Sequence, residues 1–163
     1  MKLIISDITD LIVKTSNEVK VIDNTAKIHH CIGCYDCFVK TPGLCVIKDD
    51  CADVGKTLGH CDDLIFVSKC TYGGFSPFVK NVNDRSLPYL SPYFTVRNKR
   101  MYHKFRYDNV LNMSVYFYGE DITDKERDTA TNIIAAFALA CGAKVSGILF
   151  YNSAQEVKEA LVV

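Results

Sequence analysis

The chain has 163 residues, of which 48% are hydrophobic and 23% are charged, proportions typical of one globular domain with a single sizeable core. Nineteen basic and nineteen acidic residues give a formal net charge of zero, so the composition favours neither a nucleic acid nor a basic protein as a partner. The first apolar run is too short for a signal peptide and no run reaches membrane-spanning length, so we expect a cytoplasmic protein with one domain over residues 1–163 and no membrane partner.

Five short runs rich in β-branched or aromatic residues predict strands. In chain order they are LIISDI (3–8), EVKVID (18–23), DLIFVS (63–68), MSVYFYG (113–119) and KVSGILFY (144–151). Apolar residues occupy both sides of the alternation in these runs, which is typical of parallel strands that are buried on both faces.

Helical patterns lie between the strands. DDCADVGKTLGH (49–60) is the first, TDKERDTATNIIAAFALACG (123–142) is the clearest, and SAQEVKEALV (153–162) is the last. Thr123 and Glu126 form the capping-box pattern at the start of the second helix. Alternating strands and helices predict a layered α/β domain with right-handed crossovers.

Residues 82–112 break this alternation with a long stretch that is rich in tyrosine and basic residues and holds two prolines. Two interpretations stay open for this predicted irregular excursion. It reaches a ligand crevice at the strand ends or a partner subunit, or it is a surface loop stabilised by tyrosine packing.

The third strand leads into SKCTYGGFSPFVKNVNDR (68–85), and here a resemblance becomes specific. The run from Tyr72 to Ser76, followed by Lys80 and then Asp84-Arg85, resembles the strand–loop–helix of the NAD(P)H-dependent FMN reductase group in the flavodoxin-like superfamily. The cysteine segment after residue 30 and YHKFRY (102–107) are similar to other elements of this group. The resemblance implies a three-layer flavodoxin-like fold, a five-stranded parallel sheet in the order 2-1-3-4-5, FMN at the strand ends, and a homo-oligomer, often a dimer.

The residues of this turn suit a flavin. Gly73 and Gly74 lack a Cβ, so the backbone can approach a flat ring and donate N–H groups to it, while Tyr72 and Phe75 can flank the ring. Candidate cofactor-binding residues are Thr71, Tyr72, Gly73, Gly74, Phe75 and Ser76, with Tyr118 and Gly119 after the fourth strand. The alternative is a plain strand-to-helix turn, with Ser76 as the helix cap. No catalytic side chain is assigned.

The first crossover departs from the resemblance. The group carries a phosphate-binding loop of the form G-S-x-R…N-T, whereas this chain has IISDITDLIVKTSNEVKVID over residues 4–23. Asp7 and Asp10 stand near the expected phosphate position and would repel it. So few residues link the first two strands that the first helix is predicted to be short or missing. FMN then binds weakly, relies on a partner, or has been lost.

Four of the eight cysteines have the spacing C-x2-C-x2-C-x7-C, at Cys31, Cys34, Cys37 and Cys45. In a reducing compartment such a group favours metal or redox chemistry, and this spacing is a recurring way to ligate a [4Fe–4S] cluster. The motif is similar to that of the iron–sulfur flavoproteins of the same superfamily. Zinc suits the spacing less well, and four reduced or redox-active thiols remain an alternative.

Other candidates are less specific. Cys51, Cys61, Cys70 and Cys141 lie in or beside apolar elements and are predicted to pack in the core. The adjacent His29 and His30 favour a solvated pair over metal ligands. His103 and Arg106 contact substrate or cofactor, or belong to an exposed loop in which the arginine pairs with an acidic neighbour.

These patterns predict a flavin-dependent oxidoreductase. It would pass a hydride from NAD(P)H to FMN and then electrons to a small-molecule or protein acceptor, with the cluster as a relay. The alternative is a shortened, non-catalytic member of the group that has lost FMN and acts as a binding or subunit-interaction module.

Overall fold

The computed structural model describes residues 1–11 and 18–161. Its main sheet contains five parallel strands, β1 (Lys2–Ser6), β2 (Val19–Ile22), β3 (Asp63–Lys69), β6 (Asn112–Tyr118) and β7 (Lys144–Tyr151). They lie in the order β2-β1-β3-β6-β7. With the strands of this sheet counted alone, the order is the predicted 2-1-3-4-5, and the flavodoxin-like α/β fold is confirmed.

Helices flank both faces of the sheet, which explains why its strands are apolar on both sides. The helices are α1 (Asp36–Val39), α2 (Val54–Leu58), α3 (Pro77–Arg85), α4 (Asp124–Cys141) and α5 (Ala154–Leu161). Leu3 and Ile5 of β1 pack in the core shared with α2, α3 and α4. Ile4 faces the other way and packs in the core shared with α5.

Local sequence signals account for two helix termini. The predicted capping box of α4 is present: the Thr123 side chain accepts from the Glu126 N–H, and the Glu126 carboxylate accepts from the Thr123 N–H. Gly142 ends α4 with a φ of +73°, a conformation that favours glycine. The helix predicted over 49–60 is wrong in its first half, because the Asp49 carboxylate accepts the Cys51 N–H and residues 49–53 form turns before α2.

The prediction of an irregular excursion over 82–112 is wrong. After α3 and a short 3-10 helix (Leu87–Tyr89), the chain forms an antiparallel ribbon of β4 (Leu90–Arg97) and β5 (Arg100–Phe105). Asn98 and Lys99 connect the strands with φ values of +51° and +62°. Two positive φ values are what a tight two-residue hairpin turn requires, and asparagine tolerates them.

The direction of α3 fixes the geometry of the candidate sites. It begins where β3 ends and returns antiparallel to that strand, so its first residue lies at the carboxyl ends of the strands and its last lies at their amino ends. We call these sides of the sheet the carboxyl edge and the amino edge. The predicted short or missing first helix falls largely on residues 12–17, outside the described residues. Among the helices that are described, none is long and apolar enough to cross a membrane.

Candidate functional site

The run from Thr71 to Ser76 forms a tight turn at the carboxyl edge. The Thr71 N–H donates to the Gly74 carbonyl over 3.0 Å and the Gly74 N–H donates to the Thr71 carbonyl over 2.8 Å. Tyr72 and Gly73 lie between these bonds with φ values of +51° and +78°. Among the described residues, no backbone carbonyl accepts a hydrogen bond from the Tyr72 or the Phe75 amide.

The two glycines of the turn differ in their surroundings. A Cβ on Gly73 would lie 2.7 Å from Thr129 Cβ and 2.8 Å from the Glu126 carbonyl oxygen in α4. A Cβ on Gly74 would meet only the Thr71 carbonyl oxygen, at 3.5 Å. Gly73 is therefore required by packing within the chain, whereas Gly74 leaves open space on its exposed side.

The side chains of the turn also differ in their surroundings. The Phe75 ring packs 4.8 Å from the Phe66 ring and 5.6 Å from the Phe117 ring, between centroids, and so belongs to the core. Tyr72 is 89% exposed and can contact a ligand. Ser76 precedes α3 as predicted, but its buried hydroxyl has no hydrogen-bond partner among the described residues.

Asp7 joins the carboxyl ends of three strands. One carboxylate oxygen accepts the Lys69 N–H at 2.8 Å, and the other accepts the Tyr118 hydroxyl at 3.0 Å. Burial, and then the negative charge of Asp7, raise the pKa of Tyr118, so the hydroxyl stays protonated and donates. A carboxylate thus occupies backbone and hydroxyl donors at the edge where the resemblance implies an anionic cofactor.

A polar cavity of about 450 Å³ opens beside Tyr118 and Gly119. Its other lining residues are Lys69, Glu120, Asp121, Asn152, Ser153 and Ala154. The volume is in the range of small-molecule sites, about 300–1,000 Å³. The structure therefore brings Tyr118, Gly119 and Lys69 together around one cavity, but the turn from Thr71 to Ser76 does not line it.

The four cysteines of the spaced motif converge at the amino edge. Left-handed backbone at Gly33, Tyr35 and Gly43, with φ values of +64°, +58° and +88°, folds the segment back on itself. All four cysteines are among the residues that line one narrow cavity of about 20 Å³: Cys31, Cys34, Cys37 and Cys45. Burial, and then the neighbouring thiols of the other three cysteines, raise the pKa of Cys37.

A larger cavity, mostly apolar and about 490 Å³ in volume, lies beside the cysteine cavity. Cys31, Gly33 and Tyr35 line both. The larger cavity extends between α3 and α4 to Leu64 and Phe137. A ligand held there would lie against the cysteine segment.

A buried ion pair holds the cysteine segment in place. Arg85, the last residue of α3, is 1% exposed, and its Nη1 and Nη2 donate to the two Asp49 oxygens over 2.7 and 2.8 Å. Nη1 also donates to the His29 carbonyl and Nη2 to the Ile47 carbonyl. His29 precedes Cys31 and Ile47 follows Cys45, so hydrogen bonds from the Arg85 side chain hold both ends of the cysteine segment.

Cysteine thiolates are ligands that both iron–sulfur clusters and structural zinc ions take. Within residues 1–11 and 18–161, no three histidine, cysteine or acidic side chains are grouped closely enough to share one metal ion. The chain therefore supplies thiolate ligands without a preformed arrangement for a single metal ion. Arg85 lines the same cavity as these thiols, and Cys45 acts on its guanidinium through its charge and through a side-chain hydrogen bond.

The two candidate sites lie at opposite ends of α3. The turn precedes Pro77 and the cysteine cavity includes Arg85. α3 is nine residues long, Pro77–Arg85, which corresponds to about 14 Å at 1.5 Å per residue. The spaced cysteines and the flavin-like turn therefore do not form a single site within one chain.

The remaining candidates have structural contacts. His103 Nδ1 lies 2.8 Å from the Ser91 carbonyl, and Arg106 donates to the Pro88 and Leu90 carbonyls. Both side chains hold the base of the ribbon, and the arginine has no acidic partner among the described residues. Cys51, Cys61 and Cys141 are buried as predicted, and Cys70 is half-buried.

Sequence analysis missed the roles of Arg85 and Asp49, although it quoted both within longer motifs. One signal was available: Val79, Val82 and Arg85 recur at spacings of three, so the arginine continues the buried face of α3. A cation in that position needs a buried partner.

These features define a flavodoxin-like α/β protein with a polar cavity at the carboxyl edge and four clustered thiols at the amino edge. No protein-family model matches the chain. It is 34% identical over 98 residues to an iron–sulfur flavoprotein of Methanocaldococcus jannaschii, a match that covers 60% of this chain and 49% of that protein. It is also 34% identical over 70 residues to an iron–sulfur flavoprotein of Archaeoglobus fulgidus, covering 43% of this chain and 31% of that protein. The chain thus spans half or less of the length of these relatives.

Proposed function

We propose that this chain is a flavin-dependent electron-transfer protein that holds an iron–sulfur cluster on Cys31, Cys34, Cys37 and Cys45. The observation that carries this proposal is the convergence of these four thiols on one cavity, beside a buried cation, on a flavodoxin-like sheet. The similarity to two proteins named iron–sulfur flavoproteins supports it.

The carboxyl edge is the proposed flavin site. When both groups are bound, the chemistry they supply is hydride acceptance from NAD(P)H by FMN and one-electron transfer by the cluster. The chain's part is to orient the ring with the Tyr72 and Phe75 amides, to stack Tyr72 on it, and to line its polar side with Tyr118 and Gly119. The apolar cavity beside Cys31 supports a small-molecule acceptor. A protein acceptor and a homo-oligomer stay predictions.

A second candidate function is a module that has lost FMN. Three observations favour it: Asp7 occupies donors at the carboxyl edge, Gly73 is needed for packing against α4, and Phe75 packs in the core. In this alternative the turn is purely structural, the thiols are reduced, and the chain acts as a binding or subunit-interaction module.

A visible absorption spectrum of protein purified and reconstituted without air separates these candidates. We expect flavin bands together with a broad brown shoulder, and quenching of FMN fluorescence when the chain is titrated into the dye. A brown protein that does not quench FMN would overturn the flavin assignment and keep the cluster. A protein that stays colourless after reconstitution with FMN, iron and sulfide would overturn both cofactor assignments.

Two cysteine variants make the spectrum specific. Cys34→Ser removes an exposed member of the spaced set and should abolish the brown shoulder while keeping any flavin bands. Cys70→Ser removes a thiol near the turn that does not line the cysteine cavity, and it should keep the shoulder. Equal shoulders in both variants would contradict the assignment of the cluster to the spaced cysteines.

A further inference from the structure

The starting observation is an apolar face of α4 that is exposed. From residue 129 to residue 143 the sequence contains no charged side chain. One face of α4 packs in the core, but the opposite face is equally apolar, with Ile133 45% exposed and Leu139 52% exposed. A helix that is apolar on all sides is normally covered on all sides. The outer face of α4 consists of Asn132, Ile133, Ala135, Ala136 and Leu139.

The ribbon of β4 and β5 also exposes an apolar side. Val96 and Met101 pair directly across the two strands and are 71% and 69% exposed, and Phe94, on the same side of β4, is 55% exposed. The ribbon adjoins the end of α4, because a Cβ on Gly142 would lie 2.5 Å from the Phe105 ring. A two-stranded ribbon by itself is marginally stable in water, so its apolar side favours contact with a second surface.

The ribbon and the start of α4 carry opposite charges. The ribbon, over residues 90–105, has a charge of +4 and no acidic residue. Its basic residues are Arg97, Lys99, Arg100 and Lys104. The acidic segment, over residues 120–128, contains five acidic and two basic residues and so has a charge of −3. Where the chain is described, no ion pair involves a charged residue of the ribbon or of the acidic segment.

These two charged regions lie at opposite ends of α4. The helix has 18 residues, which corresponds to about 27 Å at 1.5 Å per residue. The acidic segment is at the carboxyl edge, where α4 begins, and the ribbon packs at the amino edge, where α4 ends. Two α4 helices that lie antiparallel about a twofold axis would bring the ribbon of each copy to the acidic segment of the other. The same axis would set one apolar outer face against the other.

We propose that the outer face of α4 and the ribbon form the interface between two copies of this chain. The two α4 helices lie antiparallel, and each basic ribbon contacts the acidic segment of the other copy. Ala135 and Ala136 are small, so the helices can approach closely where they cross. This inference is independent of the proposed function, because it uses neither the four spaced cysteines nor the turn from Thr71 to Ser76.

Ala136→Glu tests the apolar contact. Glutamate is a good helix former and Ala136 is exposed, so we expect the variant to fold. A carboxylate buried in the interface without a partner should weaken the dimer by about tenfold or more. Val21→Glu is the matched control, because Val21 is an apolar residue that is 40% exposed on β2, at the opposite edge of the sheet from β7. This control should dimerise like the wild type.

Two charge-reversal variants test the pairing of the ribbon with the acidic segment. The ribbon variant carries Lys99→Glu, Arg100→Glu and Lys104→Glu, which change the charge of the ribbon from +4 to −2. The helix variant carries Asp124→Lys and Asp128→Lys, which change the charge of the acidic segment from −3 to +1. Each variant alone would set like charges against each other and should be largely monomeric. A mixture of the two sets opposite charges together at both contacts, so it should form a mixed dimer.

The measurement is sedimentation velocity of the full chain at several concentrations, with circular dichroism to establish that each variant is folded. A wild-type dimer that Ala136→Glu weakens, and that the mixture of charge-reversal variants restores, supports the proposal. A wild type that stays monomeric, or a folded Ala136→Glu chain that dimerises as tightly as the wild type, overturns it. If Ala136→Glu does not fold, the charge reversals decide, and the proposal is overturned if each dimerises alone or if their mixture stays monomeric.

Discussion

Asp49 is the residue whose protonation should matter most to the cysteine segment. Burial alone would raise its pKa, but hydrogen bonds from Arg85 and from the His29 and Cys51 N–H groups lower it from 3.8 to about 2. A carboxyl group with a lowered pKa stabilises the fold fully above its ordinary pKa, and this contribution is lost as the pH falls toward the lowered value.

We therefore expect the free energy of unfolding to fall between about pH 4 and pH 2, as the Asp49 carboxylate takes up its proton. Urea unfolding at several pH values checks this, with Asp49→Asn as the comparison. The variant should be less stable at neutral pH and should lose less stability than the wild type across the acid range. Parallel curves for the two proteins would show that Asp49 is not the group responsible.

Arg85 should contribute more to stability than other arginines near the amino edge. Arg85→Met leaves the largely buried Asp49 carboxylate with only its two backbone N–H donors, and breaking a buried ion pair typically costs about 3–5 kcal/mol. Arg106→Met removes two hydrogen bonds to carbonyls in a partly buried site, for a cost of about 1–3 kcal/mol. Chemical unfolding of both variants at neutral pH measures the difference, and equal losses would contradict the assigned importance of the ion pair.

Asp7 should weaken the binding of a phosphate-bearing flavin. Repulsion between the Asp7 carboxylate and a flavin phosphate at the sheet edge costs about 1 kcal/mol in a well-hydrated site. We expect wild-type protein to bind riboflavin about as tightly as FMN, and Asp7→Asn to tighten FMN binding roughly fivefold with little effect on riboflavin.

Fluorescence titration with the two flavins measures this preference. Asp62→Asn removes the same charge at the amino edge, where Asp62 pairs with the N-terminus, and should change neither affinity. A wild-type chain that strongly prefers FMN would show that a phosphate site exists despite the missing loop.

At the scale of elements, the turn before α3 provides a paired test of structure against binding. Gly73→Ala places a Cβ against Thr129 and Glu126 at a φ of +78°, so we expect a loss of stability of about 1–3 kcal/mol. Gly74→Ala meets only one atom, at 3.5 Å, and should be nearly neutral for stability.

For flavin binding, Gly74→Ala is the informative variant. If a ring approaches the exposed side of the turn, Gly74→Ala should weaken flavin binding without destabilising the fold. Thermal unfolding and FMN titration of the same samples give both readouts. A Gly74→Ala chain with unchanged stability and unchanged flavin affinity would contradict contact between the ring and this turn.

The parallel strands and the helices between them could be predicted from local patterns, whereas the order of the strands followed only from the family resemblance. Apolar runs on both faces give buried parallel strands, and the capping box at Thr123 fixes the start of α4. The ribbon of β4 and β5 was missed because its strands are largely exposed and lack a clean alternation. Its one local sequence signal was Asn98, a residue type that tolerates the positive φ found in the turn.

At the scale of the whole molecule, sequence alone did not place the two candidate sites. The spaced cysteines follow β2, but Arg85 and Asp49, which lie 36 positions apart in the chain, hold them at the amino edge. Such a pairing has no local pattern. The structure therefore separates the thiols from the flavin-like turn by the length of α3, which the sequence order did not indicate.

The iron and sulfide content of the chain, reconstituted without air, tests the central claim most directly. If Cys31, Cys34, Cys37 and Cys45 hold a cluster, the wild type should contain about four iron and four sulfide per chain, and Cys34→Ser should lose most of both while Cys70→Ser keeps them. A wild type without bound iron, or a Cys34→Ser chain that retains as much iron and sulfide as the wild type, would contradict this account.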